Sequence, residues 1–265
     1  MRTIVIQSYR TNGIPAWLQR CMLTVKTWAL SNGYEYAFIG DALFEHVPAQ
    51  WRDRAPASIL PLTDLARLGL LREKLASGYQ QAIWIDADVV VFRPSYFRIP
   101  SPSGAMLCHE IWTARDTHGQ VHHLRGVNNA VMVFDQGHPL LDFLHHAALE
   151  LFTHLAPSQI HSTTIGTDFL TKLGCLYPLR LLTSVACLSP LLVQALSTSE
   201  QPTLLQEHAE KFGHPFHAAN LCRSKLEADA FTDLPQSYRL NSGHLLDVVE
   251  TLVATAGQAL SPIPK

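Results

Sequence analysis

Two aspartates, Asp86 and Asp88, stand one residue apart in the otherwise apolar run Ile83-Trp84-Ile85-Asp86-Ala87-Asp88-Val89-Val90-Val91-Phe92. A carboxylate buried without a partner is costly enough that it tends to neutralise, and two neighbouring carboxylates also repel. Something positive is therefore expected beside them. Side chains alternate along a strand, so Asp86 and Asp88 are predicted to project to the same side, with the small Ala87 leaving room between flanking elements. A hard divalent cation, Mn²⁺ or Mg²⁺, suits this arrangement. It takes one or two carboxylates and fills its other positions with phosphate oxygens and water. The plainer alternative is a β-turn between two hydrophobic strands.

The elements that must position the pair are legible on both sides of it. Thr3–Ile6 reads as a strand ending in Gln7-Ser8-Tyr9-Arg10 and the turn signal Asn12-Gly13. Pro15 opens a helix whose Leu18, Met22, Val25 and Ala29 recur at helical spacing, and Asn32-Gly33 closes it. Tyr34–Ile39 is a second strand, so a parallel βαβ unit is expected. Residues 42–61 read as irregular. Thr63 is a candidate N-cap for a helix presenting Leu65, Leu68, Leu71 and Leu75 on one face and ending at Gly78. Ala82–Ile85 and Val89–Phe92 are strands either side of the acidic pair. Ala105–Cys108 and Ala130–Phe134 are further strands, and Pro139–Leu155 and Asp168–Leu173 further helices. No clear pattern emerges beyond residue 186. The sum is an α/β fold with a mixed, mainly parallel sheet flanked by helices. Ligands bind beyond the carboxyl ends of the strands in such sheets.

Composition narrows the field. The 265 residues are 47% hydrophobic and 16% charged, with formal net charge −2 and mean hydropathy +0.07, which suits a packed core and argues against disorder. No basic surplus exists to drive general nucleic-acid binding. The five cysteines form no CxxC pair and their number is odd, so neither a disulfide framework nor a zinc site is expected, and a cytoplasmic setting is. No signal peptide is visible, and no window approaches the roughly 20 apolar residues of a membrane span. The apolar run Leu245–Leu260 is the one candidate for peripheral membrane contact, and it carries little positive charge.

The acidic segment resembles the DxD motif of GT-A-fold (Rossmann-like) glycosyltransferases, most of all the retaining glycogenin-like and DXD sugar-binding-region groups. Other segments follow in the family's order. Thr3–Arg10 resembles its first strand and nucleotide-contacting loop. Asp64-Leu65-Ala66-Arg67 resembles its helix motif upstream of the DxD. Gly126-Val127-Asn128-Asn129-Ala130-Val131-Met132-Val133 resembles its acceptor-side strand, and Gly166-Thr167-Asp168-Phe169-Leu170 a polar helix start. His214-Pro215-Phe216-His217, followed by Ala218-Ala219-Asn220, resembles its C-terminal His segment. The resemblance covers about residues 1–225. It implies a GT-A domain over 1–265, with nucleotide-sugar binding in about 1–135 and the acceptor side in about 136–265. It also implies a UDP- or GDP-sugar donor, a Mn²⁺ or Mg²⁺ cofactor, and hexosyl transfer with retention to a glycan, lipid-linked or other acceptor.

Each candidate has a bland reading beside the functional one. Gln7, Ser8 and Tyr9 would meet the nucleotide, with Tyr9 stacking on the base, or merely end a strand. Asp64 would touch ribose or sugar and Arg67 hydroxyls or phosphate, or the two form a surface pair of little worth. Asp86, Ala87 and Asp88 would hold the metal–diphosphate, with Asp88 the principal ligand and His217 completing the shell. His217 is otherwise a surface histidine. Asn129 and Asp168 would supply oxygen dipoles at the anomeric carbon, or belong to a turn and a helix start. Trp84 reads as core, and Trp112 as acceptor-site lining or a loop anchor. The rival readings are a haloacid-dehalogenase-like phosphatase, a sugar-phosphate nucleotidyltransferase, and a non-catalytic sugar-nucleotide-binding relative.

Overall fold

The computed structural model describes residues 2–52, 58–198, 201–226 and 240–261. The chain opens with β1 (Thr3–Ser8), α1 (Ala16–Ser31) and β2 (Glu35–Ile39), then α2 (Ala49–Arg52), α3 (Leu60–Ala76), β3 (Gln81–Ile85) and β4 (Val89–Val91). A long hairpin of β5 (Ala105–Arg115) and β6 (Val121–Asp135) follows, then α4 (Pro139–His154), α5 (Thr167–Leu176), β7 (Leu181–Leu182) and β8 (Val185–Cys187). The rest comprises α6 (Pro190–Thr198), α7 (Pro202–Phe212), β9 (Ala218–Asn220), α8 (Arg223–Leu226) and α9 (Ser242–Ala254). Among the described residues, no helix is long and apolar enough to cross a membrane.

The main sheet has the order β2-β1-β3-β6-β5-β7, and a second sheet the order β4-β9-β8. β1 pairs in parallel with β2 and β3, and β5 with β7, while β6 runs antiparallel to both its neighbours. The expected mixed, mainly parallel α/β fold is thus present. Strand alternation divides the core. Ile4, Ile6, Ala82 and Trp84 pack with Leu65, Leu68 and Leu71 of α3 and Leu141 of α4. Val5, Ile83 and Ile85 pack with Val25 and Trp28 of α1. A third apolar cluster joins α1, α6, α7 and α9 over the second sheet.

Three local expectations are corrected. α3 begins at Leu60, because Pro61 is favourable in a first turn, and Thr63 donates to Ile59 O at 3.2 Å instead of capping. β5 and β6 run well past residues 108 and 130. Their outer halves are paired, with Trp112 opposite Leu124 and Arg115 opposite Val121, and the connecting turn is fixed by Asp116, which accepts from His118 N and Gln120 N. The buried face there includes the polar Thr113 beside Ile111 and the open face includes Leu124, so the sequence carries no clean alternation. Finally, the Asp86–Asp88 segment lies outside the strands. β3 stops at Ile85, Val89 N donates to Asp86 O at 3.2 Å across a turn, and β4 enters the other sheet.

Candidate functional site

In the order β2-β1-β3 the chain passes from β1 to β2 on one side and returns to β3 on the other, with α1 and α3 on opposite faces, which creates a switch point between the carboxyl ends of β1 and β3. Ser8 and Tyr9 finish the first of these strands and Asp86 follows the second. The β-turn alternative for the acidic pair is the one seen, and the turn carries the carboxylates from one sheet to the other at this crevice. Two cavities meet there, of about 290 and about 720 Å³. Arg67, Asp86 and Asp88 line both.

Gln7 is fully buried and lines neither cavity. Its Nε2 donates to Asp86 O at 3.0 Å and its Oε1 accepts from Tyr36 at 3.2 Å. The expected nucleotide contact is corrected to a staple for the acidic turn. Asp86 N donates to Ala130 O at 2.8 Å, which ties the same turn to β6.

Trp84 is core, as expected, but its indole also serves the site. Nε1 donates to Asp86 Oδ1 at 2.7 Å, and Arg67 Nη1 lies 3.1 Å from the same oxygen. Both donors use Oδ1, which leaves Oδ2 as the atom for a ligand. Arg67 is 5% exposed and stacks over Trp84, 4.9 Å from the ring centroid. Its Nη2 is 3.3 Å from Asp64 Oδ1, and its Nη1 donates to Asn129 O at 3.0 Å. Asn129 Nδ2 donates to Asp64 Oδ1 at 2.8 Å. The alternative of a helix-surface pair is corrected: Asp64 and Arg67 form a buried cross-link holding α3, β3 and β6 together. Burial raises the pKa of Asp64 to about 6 against the pull of Arg67, and it raises that of Asp86.

Asp88 accepts from Arg223 N at 2.6 Å. Burial and the neighbouring Asp86 raise its pKa to about 6. Two more cations stand nearby: the guanidinium carbons of Arg223 and Arg10 lie 4.8 and 5.4 Å from the Tyr9 ring centroid. These arginines line the smaller cavity with Ser8, Tyr9 and Ala87.

The larger cavity gathers Asn129 and Asp168 with Asp64. Asp168 is set by Thr163, whose Oγ1 donates to Asp168 Oδ2 at 2.7 Å while Asp168 N donates to Thr163 O. Asn129 falls where the β5–β6 register shifts, between Met106–Val133 and Cys108–Asn128. Irregularities of this kind re-aim side chains beside active sites. Gly166 packs against this corner, since a Cβ there would stand 2.8 Å from Asp64 Oδ2 and 3.2 Å from Asn129 Nδ2. A Gly166→Ala protein is therefore expected to push Asp64 off its partners at a cost of about 1–3 kcal/mol. Thermal denaturation checks this, and an unchanged melting temperature would count against the packed corner.

His217 is not brought to the acidic pair. Antiparallel pairing sets Ala218 opposite Val91 and Asn220 opposite Val89, so His217 falls beside Phe92 and Arg93, whose amides donate to its carbonyl. The expectation of His217 as third ligand is corrected, because the register carries Asn220 and Arg223, not the histidine, to Asp88. Among the described residues no group of three or more His, Cys, Asp or Glu side chains is arranged as a metal site. Sequence reasoning named Arg10 only as the end of the nucleotide-contacting loop, and it missed Arg223 and also Glu110, which lines the larger cavity and accepts from Asn128 Nδ2 at 3.1 Å. The His segment pointed to the right stretch of chain, but no spacing signal marked the backbone amide that meets Asp88.

No protein-family model and no curated protein matches the chain. Solved structures do. A glycosyltransferase involved in glycosylation of the major capsid of PBCV-1 matches with TM-score 0.50 and 10% identity, over 94% of this chain and 100% of that one. Mouse xyloside xylosyltransferase 1 matches with TM-score 0.43 and 12% identity, over 84% and 98%. The first likeness is one of fold, and the fold of this chain is the GT-A-like α/β arrangement.

Proposed function

We propose that this chain is a metal-dependent glycosyltransferase that takes a nucleoside-diphosphate sugar, UDP- or GDP-linked, as donor. The observation that carries this reading is the meeting of two cavities on a carboxylate pair at the strand switch point. A two-lobed crevice suits a bisubstrate reaction. The nucleotide fits the lobe of Ser8, Tyr9 and Arg10, and the acceptor fits the larger lobe.

Asp86 Oδ2 and the Asp88 carboxylate supply hard oxygen donors that fit Mn²⁺ or Mg²⁺. Their raised pKa values mark a site short of positive charge. A cation bound there neutralises charge developing on the leaving diphosphate. Arg67 holds Asp64, Asp86 and Asn129 in register, Arg10 and Arg223 add positive charge beside the nucleotide lobe, and Asn129 and Asp168 face the sugar from the acceptor side. We assign hexosyl transfer with retention on the sequence resemblance, and a glycan or lipid-linked acceptor. The part of the chain assigned to the acceptor also reaches the donor lobe, through Arg223 and Ser224.

The deciding experiment is a panel of nucleotide sugars with Mn²⁺, read by thermal shift and nucleotide release, beside an Asp86→Ala/Asp88→Ala control. Stabilisation by one donor that the control loses supports the reading. Phosphate release from sugar phosphates, with no donor response, would replace it with the phosphatase. Donor binding without transfer or hydrolysis would mean a non-catalytic relative.

The same assay yields a pH prediction. Asp88 is protonated below about 6, and a protonated carboxyl cannot hold the cation. Mn²⁺-dependent donor affinity is expected to be full at pH 7.5 and to fall as pH drops through about 6. Titration of affinity between pH 5 and 8 checks it, and a flat profile would exclude Asp88 as a ligand.

A further inference from the structure

Cys187 and Cys222 lie side by side in the wall of the site, with their Sγ atoms 3.5 Å apart. Both are free thiols. They come from different elements: Cys187 ends β8, and Cys222 follows β9, whose Asn220 is the register partner of Cys187. Cys222 has φ +51°, an uncommon conformation for a residue with a side chain, and this left-handed step brings its Sγ back to Cys187. Cys222 also lines the larger cavity and is half-buried, whereas Cys187 is buried. Cys222 is thus the one of the pair that borders the cavity, and Cys187 lies behind it. The next residue, Arg223, gives its N–H to Asp88 at 2.6 Å.

We propose that Cys187 and Cys222 are a site of oxidative modification, closed to a disulfide by a disulfide-class oxidant such as glutathione disulfide, and that closure draws Arg223 N away from Asp88. In the first step the Cys222 thiol gives its proton to solvent and its sulfur attacks one sulfur of the oxidant. The oxidant's S–S bond breaks, and one glutathione leaves as a thiolate that takes up a proton. In the second step Cys187 loses its proton and attacks Cys222 Sγ. The Cys187–Cys222 bond forms, the mixed disulfide breaks, and the second glutathione leaves and is protonated. Two protein thiols are oxidised and one glutathione disulfide is reduced to two thiols. A disulfide holds its sulfurs about 2 Å apart, so the pair must close by over an ångström. Arg223 N is the peptide group next to Cys222, so the part of that closure taken up by the Cys222 backbone lengthens the 2.6 Å bond to Asp88.

The loss of donor binding that follows rests on the function proposed above, while the disulfide and the movement of Arg223 do not. The test uses the full chain carrying Cys175→Ser, which removes the exposed thiol. Reduced protein is incubated with glutathione disulfide, the remaining thiols are alkylated, and peptides are mapped by mass spectrometry. Hydrogen exchange of the Arg223 amide and Mn²⁺-dependent nucleotide-sugar affinity are measured on the same samples. The expected result is a Cys187–Cys222 cross-linked peptide, Arg223 exchange faster by about tenfold or more, and donor affinity lower by about tenfold, the effect of one charge-assisted hydrogen bond. Dithiothreitol reverses all three, and a Cys187→Ala protein shows none of them. Recovery of both cysteines alkylated, or of glutathione retained on Cys222, overturns the closure. A cross-link with unchanged Arg223 exchange overturns the coupling to Asp88. If reduced protein binds no donor, the proposed function fails, and the cross-link and exchange measurements still decide the modification.

Discussion

An Asp88→Asn protein is expected to melt higher than the parent and to lose metal-dependent donor turnover by about 10³-fold or more. The two effects share one cause. Ionised Asp88 sits in a buried turn beside Asp86, and its pKa rises to about 6 from 3.8. The folded chain therefore binds more protons than the unfolded chain between pH about 4 and about 6. Stability falls as pH rises through that window and is level above it. At neutral pH the ionised form carries at most about 3 kcal/mol of unfavourable free energy, which partial solvent access reduces to ~1–2 kcal/mol. Asn removes that charge and keeps an oxygen to accept Arg223 N–H, so the turn survives. It cannot replace a carboxylate toward a cation whose contribution to the transition state is several kcal/mol, about 10³-fold in rate. Differential scanning fluorimetry and nucleotide release, run on the same preparation, check both halves. A variant with parental activity would remove Asp88 from the chemistry, and one that melts lower would contradict the electrostatic account.

The second large effect is on folding. An Arg67→Met protein keeps most of the side-chain volume but strips the cation from between Asp64 and Asp86, and leaves Asn129 O without its donor. Removing one member of a buried ion pair costs about 3–5 kcal/mol, because the uncompensated charge stays buried. In a chain of this size that lowers the melting temperature by roughly 6–20 °C. The sign of the pH dependence is definite. Without Arg67 the two carboxyls are held still higher, so they neutralise at milder acidity, and the deficit against the parent shrinks as pH falls from 8 to 5. Parallel melting curves across that range test it. A deficit independent of pH would mean that Arg67 acts by packing on Trp84 rather than by charge.

Much of the frame was legible in the sequence because single segments carried it. The βαβ opening was written in the spacing of Leu18, Met22, Val25 and Ala29 between two apolar runs. The acidic pair announced itself as charge in an apolar segment, where burial without function is hard to explain. What was not legible depended on register between distant segments. Nothing local to Gln7 shows that its amide will be spent on Asp86 O and Tyr36. Nothing local to His217 shows that pairing of β4 with β9 will carry it past Asp88 to Phe92. The Asp64–Arg67 spacing was visible, but a pair three residues apart on a helix reads the same on the surface and in the interior. Burial decided the matter, and it is set by β3 and β6. The outer hairpin escaped notice because its buried face mixes Ile111 with the polar Thr113 while Leu124 stands exposed, so no apolar–polar alternation marks it.

The pairing of β4 has a consequence in time as well as in space. The acidic turn is complete in sequence at residue 88, yet its neighbours come late. β4 pairs with Ala218–Asn220, Asp88 waits for Arg223, and Gly257 lies so close to Phe92 that a side chain there would enter the ring. During synthesis the nascent chain can fold β1, α1, β2 and β3 as they leave the ribosome, but it must carry an exposed Val89-Val90-Val91 edge and two unguarded carboxylates for more than a hundred further residues. A chain stalled before residue 223 therefore holds the acidic turn without the amide that meets Asp88, and one stalled before α9 also lacks the apolar residues that cover β4.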